Sequence, residues 1–568
     1  MDKRFAIKFS GQSGQGINTL GKLLSNAIKN SEYPIFATRE YPSLIKGGFA
    51  SYQIDVSSTQ IFSSSKQCNI LTSIAKDALN QYIGLVSKDG LILHSVKDFK
   101  LNAEDKEYIL KNNIKYLFID TEKIAQESNS PTIMANIVML GAIWKVIGLD
   151  FKVLERVIRK YFSTKKNIDI EAEVRCLKAG YNLELIKDIK IETFPTTKIK
   201  GWKKSKILTG NDALALGAIS AGCRAYYAYP MTPATSILET LGNTYMETGL
   251  IVKQAESEIT AVQFAMGSMY MGTRAFTATS GGGFDLMTET ISCCGMTETP
   301  LVIVLGQRAG SGTGVPTWSG SSDLEVSLKG GHGEFPRCIL ATSDSEDSYE
   351  LIQDAFNIAE QYQIPVIVLS EKQIAESLFN IKTLPKPKKI LRGLSNNGIE
   401  RYKITKSGVS QRWIPQKGKK TYLVNSDEHT QDGISTEDSK EITAMSSKRL
   451  RKLNTLLKNI PSPEYYGAVK PDIVFVGMGS TKNAVIDAMK ILNANIGYLH
   501  YKYIYPLRFE RILQIHDKGT KIVLIENNQN GELGKLIREQ SGLYIQDKLF
   551  KFDGRPFFVE DILEYLKK

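Results

Sequence analysis

The sequence predicts an α/β protein built of three α/β domains, on three observations. Between residues 207 and 370, short apolar runs rich in β-branched residues alternate with helical patterns, which calls for a parallel sheet covered on both faces. Near the N-terminus a strand pattern runs into a glycine-rich turn and then a helix pattern. Residues 472–537 twice repeat strand, glycine turn and helix. A chain of 568 residues is also too long for one core.

Taken in order, residues 4–10 read as a strand, GQSGQG as a turn and 17–28 as a helix. Strands at 67–72 and 115–120 and a long helix at 131–147 complete a first domain, residues 1–190. The stretch KDIKIETFPTTKIKGWKKSK is Lys-rich, contains Pro and lacks periodicity, so residues 191–206 are expected to be a linker. The second domain, 207–445, carries strands at 225–229, 274–280, 300–306 and 364–369, with helices at 257–271, 284–297 and 347–361. Its segment 306–336 is Gly/Ser-rich and irregular; loops of that length in a compact domain are functional or disordered. A surface helix around 446–458 is expected to open the third domain, 446–568.

Composition narrows the function classes. A hydrophobic content of 42% and a charged content of 23% are those of a globular protein. No apolar run approaches the roughly 20 residues needed to cross a bilayer, and MDKRFAIKFSGQSGQG does not read as a secretory signal, so a cytoplasmic protein with no membrane partner is expected. The six cysteines include no Cys-x-x-Cys and no zinc or iron–sulfur spacing; any electron carrier would sit on another chain. The net charge of +12 is spread over 195–206, 382–392 and 447–458 without aromatic interleaving, which speaks against nucleic acid. Such stretches are ordinarily solvated, although basic edges also help to dock an acidic electron carrier.

Four constellations carry chemistry. In GNDALALGAISAGCRAYYAYPMTP a Tyr-rich strand turns at Tyr229-Pro230 toward a helix, with Thr232 expected at the N-cap and Pro233 at the first helical position. A helix tip at a strand's C-terminal end stabilises a small anion, though a lone Thr-Pro is more often an ordinary turn. Gly11, Gly14 and Gly16 of GQSGQG permit close approach to a phosphate. Ser13 breaks the G-x-G-x-x-G pattern and Glu32 precedes the next strand rather than ending it, so a nicotinamide dinucleotide is disfavoured. Glu258 opens a helix rich in Ala, Gly and Ser; on its own it complements the helix dipole, as Glu256 would. Arg308 follows a strand and suits bidentate carboxylate recognition, whereas in isolation it would be a surface residue of a loop. The turn TSGGGFD lets helix and sheet approach, GGHGEFPR places His332 as an orienting or packing residue, and the single His of DEHTQDGISTED is too sparse for a metal site.

In order and spacing, over residues 4–545, these motifs resemble the 2-oxoacid:ferredoxin oxidoreductases, in particular the α subunit with a fused N-terminal γ domain, most like the 2-oxoglutarate type. The resemblance implies a central sheet of the thiamine-diphosphate (pyrimidine-binding) type. It implies Thr232 and Arg308 on the 2-oxoacid with Thr313 and Thr317 beside them, Glu258 at N1′ of thiamine diphosphate, and Tyr229 and Pro230 against that cofactor. Gly11, Gly14 and Gly16, with Tyr41-Pro42-Ser43 and Gly47-Gly48, would hold coenzyme A. Ser13, Lys46, Gly282 and Ser311-Gly312 stand where the family has Gly, Arg, Pro and Pro-Ser. The implied reaction decarboxylates a 2-oxoacid, expected to be 2-oxoglutarate, to acyl-coenzyme A and carbon dioxide while reducing ferredoxin. A separate β subunit would bring Mg2+ and a [4Fe-4S] cluster, in a heterodimer or a dimer of heterodimers. The alternatives are a pyruvate-using or broad-specificity member, or a degenerate non-catalytic subunit.

Overall fold

The structure, a computed structural model, describes residues 4–43, 48–191, 193–396, 398, 400–416, 421–492 and 494–567. Lys46 and Gly47 of the glycine segment lie outside the described residues. Three parallel-rich sheets carry the chain, the α/β class that the sequence predicts.

The central sheet has the order Tyr503–Tyr505, Cys338–Ala341, Pro365–Glu371, Leu301–Gln307, Ala275–Thr279, Ala225–Ala228, Ile251–Gln254. All neighbours are parallel except Tyr503–Tyr505, which joins antiparallel from the C-terminal part of the chain. LVIVLGQ and PVIVLSE are buried along their whole length, because helices cover both faces of the sheet. The expected helix 284–297 is two helices, Gly281–Asp285 and Thr288–Thr297. Between them the Met287 N–H bonds the Phe284 carbonyl at 2.9 Å, a tighter turn that interrupts the α pattern.

The N-terminal sheet does not stop at residue 190. Its eight strands run Lys115–Phe118, Val86–His94, Cys68–Ser73, Phe5–Gln12, Phe49–Val56, Ile35–Glu40, Leu378–Ile381, Lys206–Leu208. Two of these come from later in the chain, Lys206–Leu208 at the junction of the expected linker and second domain and Leu378–Ile381 from within that domain. The segment before residue 206 is held as well: Phe194 packs edge-on against Phe5 and Tyr33, and the buried Asn380 amide accepts from Trp202 Nε1 and donates to Ser205 Oγ and the Lys206 carbonyl. A few apolar anchors fix a stretch whose lysines make it read as linker.

The third sheet, Glu464–Gly467, Ile496–Tyr501, Ile473–Met478, Lys521–Glu526, Asp547–Phe550, packs on the central one. The Glu371 carboxylate, at the end of its strand, accepts from Ser480 N–H and Oγ–H across that junction. Burial pushes this carboxyl up to about 7, against those hydrogen bonds. No helix among the described residues is long and apolar enough to cross a membrane.

The helix expected on the surface at 446–458 is Ser439–Leu457, and one face of it is buried through Met445, Lys448, Arg449, Lys452 and Leu456. Lys448 and Lys452 are fully buried and both reach the Glu298 carboxylate, the second at 2.5 Å. Glu298 sits at φ 52° just beyond the helix Thr288–Thr297. Burial lowers the lysines to about 8 and about 7, with Glu298 opposing, while the two lysines hold the Glu298 carboxyl well below the usual carboxylate range. The Lys run reads as solvated in the sequence because the counter-charge of Lys448 lies 150 residues away. Removing one partner of a buried ion cluster leaves the others uncompensated. Glu298→Gln is therefore expected to cost about 3–5 kcal/mol, read as a lower urea midpoint for the unfolding transition.

Candidate active site

Four neighbouring strands of the central sheet end at one place, the carboxyl edge where open α/β sheets bind ligands. Ala225–Ala228 leads to Tyr229–Pro233, Ile251–Gln254 to Glu258, Ala275–Thr279 to the turn Ser280–Gly283, and Leu301–Gln307 to Arg308.

Glu258 is the first residue of the helix Glu258–Tyr270, whose N-cap is Ser257, accepting from Thr260 N–H at 3.3 Å. The Glu258 side chain turns inward and is only 4% exposed, and its Oε1 has no hydrogen-bond partner. Glu256, the other carboxylate at this tip, instead bonds Thr260 Oγ at 2.8 Å on the exposed side, so the two are distinct in role. Gly283 is glycine because of Glu258: a Cβ there would lie 2.6 Å from Glu258 Oε1 and 2.0 Å from Thr279 Oγ. A Cβ on Gly282 would meet nothing within 4 Å, so packing does not require glycine at this position of the turn.

Arg308 is 9% exposed, and its Nη1 donates to the Thr232 carbonyl at 3.1 Å. Two residues predicted from sequence are thereby brought together, through the backbone of Thr232. Thr232 is not the N-cap expected of it, nor is Pro233 the first helical residue. A turn closed by the Ala234 N–H on the Met231 carbonyl at 2.8 Å intervenes, and the helix is Thr235–Thr248. The turn is held by buried Asn211, whose amide donates to the Pro233 carbonyl and to Ser236 Oγ, both at 2.8 Å. Thr317 is buried with its hydroxyl unpaired, as is Ser280, whereas Thr313 and Tyr229 are exposed and Pro230 partly so.

Asp323 belongs to this cluster and escaped the sequence reading. Its N–H donates to Gln307 Oε1 at 3.0 Å, and its carboxyl oxygens lie 3.4 Å from where a Gly281 Cβ would stand. Burial, with the charge of Asp285 adding, pushes its carboxyl up to about 6, and Arg308 pulls the other way. Burial likewise lowers the Arg308 pKa, opposed by Asp323, but a guanidinium stays protonated. The available signal was an acidic residue opening a short helical pattern, LEVSLK, inside a Gly/Ser-rich loop.

The irregular segment after Arg308 is ordered by clamps from the C-terminal part of the chain. Glu532 accepts from the Leu324 and Glu325 N–H groups at 2.9 and 3.2 Å, Asn528 and Asn527 bond Ser321, and the Arg555 guanidinium lies 3.3 Å from the Trp318 ring centroid. His332 is exposed, and its backbone N–H, not its ring, holds Ser292 Oγ at 2.9 Å.

The N-terminal glycines form a second place, on the other sheet. Gly11 is buried against Ile17 and Ile74, while Gly14 and Gly16, at φ 94° and 80°, form an open turn. On its side nearer the central sheet lies a cavity of about 370 Å³ lined by Ser13, Gly14, Arg39, Tyr41 and Tyr52. Arg39 and Tyr41 both bond Glu376 of the central region, at 3.1 and 2.7 Å. Among the described residues no group of three or more His, Cys, Asp or Glu could hold a metal ion, and all six cysteines are free.

Two family models match this chain. Residues 216–448 match the family model "Pyruvate flavodoxin/ferredoxin oxidoreductase, thiamine diP-bdg", and residues 6–183 match "Pyruvate ferredoxin/flavodoxin oxidoreductase". The 2-oxoacid:ferredoxin oxidoreductase subunit alpha of Sulfolobus sp is 30% identical, covering 100% of this chain and 97% of that protein. The 2-oxoglutarate synthase subunit KorA of Methanothermobacter thermautotrophicus is 29% identical over 64% of this chain and 98% of its own length. The 2-oxoglutarate:ferredoxin oxidoreductase from Magnetococcus marinus, solved with 2-oxoglutarate, coenzyme A and succinyl-CoA bound, superposes with a TM-score of 0.91 at 27% identity, covering 100% of this chain and 99% of that one. With sequence relatives along its whole length and the same fold throughout, the chain belongs to the alpha subunits of the 2-oxoacid:ferredoxin oxidoreductases.

Proposed function

We propose that this chain provides the substrate-facing and pyrimidine-facing half of a coenzyme A-dependent 2-oxoacid oxidoreductase, with 2-oxoglutarate as the substrate and ferredoxin as the electron acceptor. The observation that carries this is the buried Glu258 oxygen without a partner, placed on the same sheet edge as the Arg308–Thr232 pair. A buried carboxylate oxygen left unpaired is costly, so a donor from outside the chain belongs there. N1′ of the aminopyrimidine of thiamine diphosphate is such a group, and the residues present fit it. When bound, that cofactor supplies a nucleophilic carbon that accepts the 2-oxo carbon and holds the electrons left by departing carbon dioxide.

The roles of the chain's own groups follow. Glu258 holds and moves a proton at N1′, in a site where burial strengthens that interaction. Arg308 takes the substrate carboxylate, and Thr232 shapes the turn against which the substrate lies, with Thr317 offering its unpaired hydroxyl. Thr313, Tyr229 and Pro230 gain contacts only with a partner in place, since they remain open in this chain. The cavity between Gly14, Ser13 and Tyr41 takes coenzyme A, with Gly11 supporting the turn from beneath.

A separate β subunit completes the site, bringing Mg2+ and a [4Fe-4S] cluster. The edge of the central sheet supports this: Tyr245, Met246, Ile251, Ile259 and Met271, along the edge strand and its flanking helices, are between 45% and 79% exposed. Large apolar side chains left exposed along one edge favour an interface there.

Three outcomes are expected in the complex with the β subunit. Glu258→Gln lowers kcat for viologen reduction by at least about 100-fold with little change in KM for the 2-oxoacid; retention of wild-type kcat would remove the carboxyl from the chemistry. Arg308→Lys raises KM for the 2-oxoacid by about 10-fold or more, measured by steady-state kinetics with coenzyme A saturating. Asp323, raised to about 6, is neutral below that pH and charged above it. When charged it weakens the field of Arg308 on a substrate carboxylate, so KM rises as pH increases through about 6 and is flat in Asp323→Asn.

A further inference from the structure

The 2-oxoacid proposed above carries two carboxylates, and Arg308 accounts for one of them. Other cations around the loop of Arg308 are engaged within the chain. Lys8 lies 3.5 Å from Glu40 and Arg39 lies 3.1 Å from Glu376. Lys372 donates to the Arg39 carbonyl at 2.7 Å, and Arg337 to the Ser327 and Gly330 carbonyls at 3.0 and 2.7 Å. Arg555 differs from them. Among the described residues its guanidinium has no carboxylate within ion-pair distance and no hydrogen-bond acceptor, and what it meets is the Trp318 ring.

The backbone fixes where this cation stands. The Arg555 N–H donates to Asp553 Oδ1 at 2.9 Å, and its carbonyl accepts from Asn527 Nδ2 at 3.0 Å. Gly554, at φ 79°, lies so close to the loop after Arg308 that a Cβ there would stand 3.9 Å from that of Ala309 and 3.5 Å from that of Trp318. The Ser319 N–H donates to the Gly554 carbonyl at 3.1 Å, and the Ala309 N–H to the Trp318 carbonyl at 3.3 Å. Arg555 is thereby carried to the residue that follows Thr317, whose buried hydroxyl is unpaired. It borders a narrow crevice with Thr38, Glu40 and Lys372, and it is only partly buried, so its donors stay within reach.

Charge and geometry agree on an anion. Stacking on Trp318 uses the face of the guanidinium and leaves its in-plane N–H fork free, the arrangement that grips a carboxylate in bidentate fashion. Glu40 does not serve as that carboxylate. Burial raises its carboxyl, but Lys8, the Tyr82 and Ser51 hydroxyls and, last, Arg555 bring it down to about 2, and its hydrogen bonds go to Tyr82 and Ser51 at 2.7 and 2.8 Å. Glu40 is thus matched by Lys8, Glu376 by Arg39 and Lys372, and nothing in the chain matches Arg555.

We propose that Arg555 takes the far carboxylate of a dicarboxylic 2-oxoacid and so sets the preference for 2-oxoglutarate over monocarboxylic 2-oxoacids; this rests on the 2-oxoacid reading given above. The test compares 2-oxoglutarate with 2-oxopentanoate, which has a methyl group in place of the far carboxylate, in the complex with the β subunit. Arg555→Met is expected to lower the ratio of the two kcat/KM values at least tenfold, through KM for 2-oxoglutarate. Arg555→Lys, which keeps the charge without the fork, is expected to fall between Arg555→Met and the wild type. A merely structural role, through loosening of the loop, moves both substrates together and leaves the ratio unchanged, and that result overturns the proposal. So does a loss that appears in KM for coenzyme A and not for the 2-oxoacid. If the wild-type complex turns over neither substrate, the 2-oxoacid reading fails on its own, and isothermal titration of the same two compounds decides the proposal. A tenfold loss of 2-oxoglutarate affinity relative to 2-oxopentanoate in Arg555→Met upholds it, and an unchanged ratio overturns it.

Discussion

One buried carboxylate organises the candidate active site. Glu258 is placed by the helix Glu258–Tyr270, turned away from water and left with an unpaired oxygen. Its position explains neighbours that otherwise look like loose glycine-rich sequence. Gly283 must lack a side chain because Glu258 and Thr279 fill that volume, and the helix Gly281–Asp285 can then approach the sheet. A buried polar atom in that state is completed by ordered water or by a group from outside the chain.

The second constraint is the attachment of the loop after Arg308. Without the Glu532 cap on Leu324 and Glu325, the asparagines on Ser321 and the Arg555–Trp318 contact, that loop would have no reason to keep Arg308 on Thr232 or Asp323 beside Gly281. The C-terminal sheet therefore acts on the site by fixing its loop. Glu371 on Ser480 couples the same two sheets at the next strand end. Strand ends supply the functional residues, and the neighbouring sheet supplies their rigidity.

The sequence was most legible where period and punctuation agree. The central strands fell within a residue or two of expectation because continuous apolar runs such as LVIVLGQ have no alternative when both faces are buried. Thr232, Glu258 and Arg308 are singled out by the family resemblance, and they follow neighbouring strands of one sheet. What escaped was long-range. Nothing local to Lys448 and Lys452 announces Glu298, and the strand Lys206–Leu208 exists only because Leu378–Ile381 pairs with it. Asp323 was hidden for a related reason: its environment comes from Gly281, Asp285 and Arg308, all remote in sequence. The helix starting at Thr235 shows the limit of capping rules, since a Met231–Ala234 turn took the place of the expected Thr-Pro cap.

The central claim is that this chain and a β subunit together form a thiamine-dependent 2-oxoacid oxidoreductase. The most direct test is anaerobic viologen reduction by the co-produced complex, with thiamine diphosphate, coenzyme A and a panel of 2-oxoacids. The account predicts reduction that requires both chains and coenzyme A and is fastest with 2-oxoglutarate. A well-formed, cluster-loaded complex that reduces viologen with none of the 2-oxoacids would contradict it.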